Sequence, residues 1–68
     1  MLNNWIADAV GKAFTNNISH KEIAAKAGYN PRYLSAILNQ KRNPANAETR
    51  IMTAISDIIR ERESKNNA

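Results

Sequence analysis

The chain has 68 residues, 43% of them apolar, with ten Lys and Arg against six Asp and Glu, one His and no Cys. That length holds one small domain, and the lack of Cys with a lone His excludes disulfide staples and the usual thiolate or His-rich zinc sites. Two Gly, two Pro and few β-branched residues other than Ile favour helices. With no apolar run of ~18 residues and no charged-then-apolar leader, the expectation is a soluble, cytoplasmic, all-α domain.

Ile6, Val10 and Phe14 repeat at i, i+4 and i+8, which predicts a first helix over 4–14 with one apolar stripe, capped by Asn3 or Asn4. Trp5, Ala9 and Ala13 widen that stripe by one row. Gly11 costs about 1 kcal/mol relative to Ala in mid-helix unless a neighbour packs close there. Thr15, Asn16 and Asn17 end the helix.

A second helix starts at Ser19, an N-cap hydroxyl with Glu22 at capping-box spacing, and Ile18 is placed to staple onto Ile23. Gly28 supplies the positive-φ residue that ends it. Asn30 caps a third helix whose first position is Pro31, where a missing N–H is harmless. Leu34, Ile37 and Leu38 form its inner face, and residues 39–43 with Pro44 make the exit loop. A fourth, extended C-terminal helix spans roughly 46–63, with Glu48 near its positive end and Arg60 and Arg62 near its negative end. Residues 64–68 are expected to fray. The domain is therefore 1–63, a small four-helix unit, with a tail at 64–68.

Charge is unevenly placed. Residues 1–19 and 45–68 each cancel, so the surplus of +4 lies in 20–42: Lys21, Lys26, Arg32, Lys41 and Arg42 against Glu22 alone. A basic segment in a neutral frame suits phosphate neutralisation, and a solvated face kept charged for solubility is the plain alternative.

The second and third helices are short and joined by Gly28, Tyr29 and Asn30, a sharp turn of the kind that sets a following helix into the DNA major groove. Ala24 faces the crossing point, and Ile23, Ala27, Leu34 and Ile37 fill the angle. The stretch ISHKEIAAKAGYNPRYLSAILNQKRNP over 18–44, followed by AETRIMTAI over 47–55, resembles the lambda-repressor/Cro (XRE-type) helix-turn-helix family. The match covers roughly residues 6–56 and is strongest at 19–44, where S-x-x-E-I-A, A-G, L-S-x-I and a later Pro recur. The sequence departs from the family pattern at Tyr29, usually a smaller aliphatic residue, at Gln40, commonly Gly, and at Pro31, often a base-reading polar residue.

The resemblance implies a lambda-repressor-like fold with its helix-turn-helix unit at about 19–40 and a recognition helix over about 31–40. It places Arg32 and Ala36 at base-reading positions, with Tyr33 and Ser35 beside them. Arg can bond guanine O6 and N7 bidentately, whereas Ala36 can only touch a thymine methyl. Tyr33 either donates to phosphate or covers the turn. His20 opens the second helix, where the family often has a phosphate-bonding Gln and where the helix end itself attracts an anion. Asn17, Lys21, Asn39, Lys41, Arg42 and Asn43 would follow the backbone, while Lys26 reads as a plain surface lysine.

On the fourth helix, Ile51 and Ile55 pack the core, and Met52, Ile58 and Ile59 are left over to face water. Met52, Ile55, Ile58 and Ile59 are thus expected to form a dimer or partner interface. The function that follows is a sequence-specific DNA-binding regulator of phage or mobile-element type. It acts as a homodimer on a double-stranded operator, with no enzymatic activity, cofactor, metal or membrane partner. The alternative is a small antirepressor or modulator that uses the same fold to bind a second regulator protein.

Overall fold

Short-range capping chemistry delimits the helices. In the computed structural model, which describes residues 4–66, they are α1 (Asn4–Thr15), α2 (His20–Ala27), α3 (Pro31–Leu38) and α4 (Ala47–Asn66), with no strand among the described residues. The Ser19 hydroxyl accepts from the Glu22 N–H at 3.1 Å and starts α2. Ile18 and Ile23 on either side of that cap are both buried, as a hydrophobic staple requires. Gly28 ends α2 at φ 83°. The Asn30 side chain accepts from the Arg32 N–H at 2.8 Å, with Pro31 at the first helical position of α3. Asn3, one of the two residues expected to cap α1, lies outside the described residues, as does the side chain of Asn4.

Packing centres on α4, which lies against both α1 and α2, while α2 lies against α3. Ile23, Leu34, Ile37, Ile51 and Ile55 are fully buried at the junction, each contributing about 1.5–3 kcal/mol of hydrophobic stabilisation. Ala24 has no exposed surface, so a larger side chain at that α2 position has no room.

The structure corrects three expectations. The buried face of α1 is Ile6, Ala9 and Ala13, whereas Val10 and Phe14 are 44% and 86% exposed. The apolar arc of α1 is wide enough to offer two faces, and α4 packs on the one with small residues. On α4, Ile58 does not face water: it is buried with Ile55, and Met52 and Ile59 are half-buried against the same core. Finally, the helical span of α4 reaches Asn66 rather than 63, while α3 ends at Leu38, just before the expected exit loop of 39–43, and residues 67–68 lie outside the described residues.

Gly28 and Gln40 both carry left-handed geometry, with opposite consequences. At Gly28 an added Cβ would also stand 2.7 Å from an Arg50 guanidinium nitrogen. Gln40 holds φ 63° with a side chain in place. Because αL geometry costs an L-residue roughly 1–2 kcal/mol, Gly28→Ala lowers stability by at least about 1 kcal/mol. Gln40→Gly raises it by up to about 1 kcal/mol, less the entropy Gly loses on folding. Urea titration followed by circular dichroism reads both; equal signs at the two positions would refute the assignment.

Candidate nucleic-acid interface

α3 turns Leu34, Ile37 and Leu38 inward. At 100° per residue this leaves Arg32 and Ala36 one turn apart on the opposite face, with Tyr33 and Ser35 on the two flanks. Arg32 is exposed, Tyr33 is 38% exposed, and Ser35 and Ala36 are half-buried. The turn after α3 folds back onto that helix: the N–H groups of Lys41 and Arg42 both donate to the Ala36 carbonyl, at 2.8 and 3.3 Å. Arg32 and the Lys41–Arg42 pair therefore sit at opposite ends of a helix about 12 Å long. Asn39 caps that end and its amide donates to the Ser35 hydroxyl at 3.5 Å; Asn43 is exposed beyond it.

Ion pairing sorts the basic residues. Lys26, read from the sequence as a plain surface lysine, pairs with Glu61 of α4. Glu22, the one acid in 20–42, is engaged by Arg62 at 2.8 Å. Lys12 pairs with Asp8 and Arg60 with Asp57. Among the described residues, the side chains of Lys21, Arg32, Lys41 and Arg42 have no such partner. All four are exposed. Holding Glu22 in an ion pair on the α4 side leaves the α2–α3 unit with an uncompensated positive charge. Coulombic attraction for a polyanion follows from that arrangement.

The remaining expected contacts fall around this unit. His20 and Lys21 are exposed in the first turn of α2. Asn17 is exposed with φ 56°, and its carbonyl accepts from Arg62 at 3.3 Å, so it belongs to the turn that enters α2. The four α4 residues assigned to an interface form no continuous exposed row, because Ile55 and Ile58 are inside.

What positions the unit is a set of contacts from α4 that no local pattern in the sequence marks. Arg50 reaches from α4 to donate twice to the Ala27 carbonyl, from Nε at 3.1 Å and Nη2 at 2.7 Å. Its guanidinium lies 4.4 Å from the Tyr29 ring centroid, and Tyr29 in turn sits 5.6 Å from the Tyr33 ring. This stack of Arg50, Tyr29 and Tyr33 runs from α4 across the turn to α3. Tyr33 thus covers the turn. A larger aromatic at position 29 was the only signal in the sequence. The Tyr29 hydroxyl is buried without a hydrogen-bond partner.

Comparison of the chain with protein-family models, with curated proteins and with solved structures gives no match.

Arg50→Ala is expected to lower stability by about 1–2 kcal/mol through loss of two charge-assisted bonds on a half-open surface. Tyr29→Phe is expected to raise it by about 1 kcal/mol, since it removes a buried unpaired hydroxyl and keeps the ring. Paired thermal melts test the two; a Tyr29→Phe variant that melts lower would place a hydrogen bond on that hydroxyl.

Proposed function

We propose that the chain is a sequence-specific DNA-binding regulator with a lambda-repressor-like helix-turn-helix at 19–40. The observation that carries this reading is the placement of the unpartnered cations. Lys21, Arg32, Lys41 and Arg42 all lie on α2, α3 and the turn after it, while Lys12, Lys26, Arg50, Arg60 and Arg62 are held by carboxylates or carbonyls. The resemblance of residues 18–44 to the lambda-repressor/Cro family supports the same reading.

In this mechanism α3 enters the major groove, which is about 12 Å wide and accepts one helix. Arg32 reads a base edge with its forked guanidinium, Ala36 lets the helix axis come close, and Ser35 and Tyr33 flank them. His20 and Lys21 at the start of α2, together with Asn17, Asn39, Lys41, Arg42 and Asn43, meet phosphates on either side and fix the docking register. The protein acts by occupancy, as a homodimer on an operator with two half-sites about one helical turn apart. It requires no cofactor and catalyses nothing. No helix among the described residues is long and apolar enough to cross a membrane.

Fluorescence anisotropy against duplexes from its own promoter region tests the reading. Four phosphate-neutralising cations per chain give a log–log salt slope of about −3 to −4 per bound chain, about −7 for the dimer. Arg32→Ala costs about 1–3 kcal/mol on the operator and little on random duplex, whereas Lys41→Ala weakens both alike and reduces the slope by about 1. Equal losses for Arg32→Ala on operator and random DNA would reassign Arg32 to phosphate. A chain that binds no duplex at low salt would end the proposal.

A further inference from the structure

Among the described residues, the large apolar side chains left exposed, Tyr33 aside, are Val10 and Phe14, on α1 rather than α4. Ala7, Val10, Gly11 and Phe14 share one flank of α1 by helical spacing, and the Asp8–Lys12 pair, at 3.3 Å, occupies another. Phe14 is 86% exposed. Beside it opens a groove of about 160 Å³ walled by Val10, Phe14, Ile18, His20 and Leu38, with Ile55 of α4 in its lining. An apolar cavity of about 150 Å³ is large enough to take up benzene, so the groove holds one phenyl ring. Knob and hole lie side by side on the same chain.

Gly11 adds an independent observation. A Cβ built there meets nothing within 4 Å, so no contact inside the chain requires glycine. A glycine in mid-helix is nonetheless less stable than alanine. The bare backbone at Gly11 therefore leaves room for a close approach from outside the chain.

We infer that this face is a two-fold interface between two copies of the chain, with Phe14 of each seated in the groove of the other and Gly11 leaving room for the partner's α1. A second copy is the occupant the observations favour, because one surface supplies both the ring and the hole that fits it, as an isologous contact demands. Charge agrees. The chain carries +4, but among the described side chains the unpartnered Lys and Arg lie on α2, α3 and the following turn; the flank of Ala7, Val10, Gly11 and Phe14 has no ionisable side chain, and His20 is the one ionisable residue in the groove wall. Two seated rings bury roughly 300–500 Å² together. Even with Val10 and Ala7 added, this stays below the ~1,200–2,000 Å² of a stable interface. The dimer is therefore concentration-dependent rather than obligate.

Sedimentation equilibrium without DNA, from micromolar to millimolar protein, tests this independently of any nucleic-acid binding. The wild-type mass should climb from the 7.6 kDa of one chain toward twice that value. Phe14→Asp should hold the single-chain mass throughout while keeping the wild-type helical spectrum and melting midpoint in dilute solution, because the ring packs little on its own chain. Gly11→Gln should melt higher than wild type when dilute and yet associate at least tenfold more weakly. A wild-type chain that remains at single-chain mass at every concentration overturns the inference, as does association that survives Phe14→Asp. Dissociation produced only by Met52→Lys with Ile59→Lys would also overturn it, by moving the contact to α4. None of these outcomes alters the salt-dependence test of DNA binding, so the two readings fail separately.

Discussion

Two arginines near opposite ends of α4 hold both ends of α2. Arg50 grips the Ala27 carbonyl where α2 stops, and Arg62 reaches Asn16, Asn17 and Glu22 where it starts. Helix ends leave carbonyls without intrahelical partners, and a guanidinium from a neighbouring helix is a strong way to satisfy them. With α2 pinned at both ends, the turn through Gly28 has one exit direction, and α3 leaves along it. The outward posture of Arg32 thus depends on contacts made by residues eighteen and thirty positions later in the chain.

The same arrangement separates the electrostatics of the molecule into two parts. On α4, acids and bases are interspersed and mostly paired, locally in Asp57–Arg60 and across to α2 in Lys26–Glu61 and Glu22–Arg62. Surface pairs of this kind stabilise little individually. Their larger effect is on the field: by engaging Glu22, α4 leaves four cations of the α2–α3 unit uncompensated. In the proposed function these cations face phosphate, and the neutral flank of α1 remains for protein contact.

Small size sets the remaining constraint. A chain of this length buries few large side chains, and the structure uses Ala at 9, 13, 24, 27, 47 and 54 to bring helices close rather than filling space with bulk. Large apolar residues beyond that core have nowhere inside to go. Among the described residues Val10 and Phe14 are left out in this way, and a second copy burying them would extend the core across a boundary that one chain cannot close.

Residues within four positions of one another determined the helix limits. Ser19 with Glu22, Gly28, and Asn30 with Pro31 each complete a hydrogen-bond or dihedral requirement inside a single turn, so their outcome is legible without knowing the fold. The surplus of basic charge in 20–42 was legible for the same reason, as was the inward triplet Leu34, Ile37 and Leu38. What only the tertiary structure decided is which of two apolar faces each long helix turns inward. Periodicity on α1 admits Ile6 with Ala9 and Ala13 or Ile6 with Val10 and Phe14, and the closeness of α4 selects the set with small side chains. Ile58 is inside because α2 lies over it, and Lys26 is neutralised because Glu61 lies within reach. Each of these depends on partners more than thirty residues away, and no local pattern encodes such a distance.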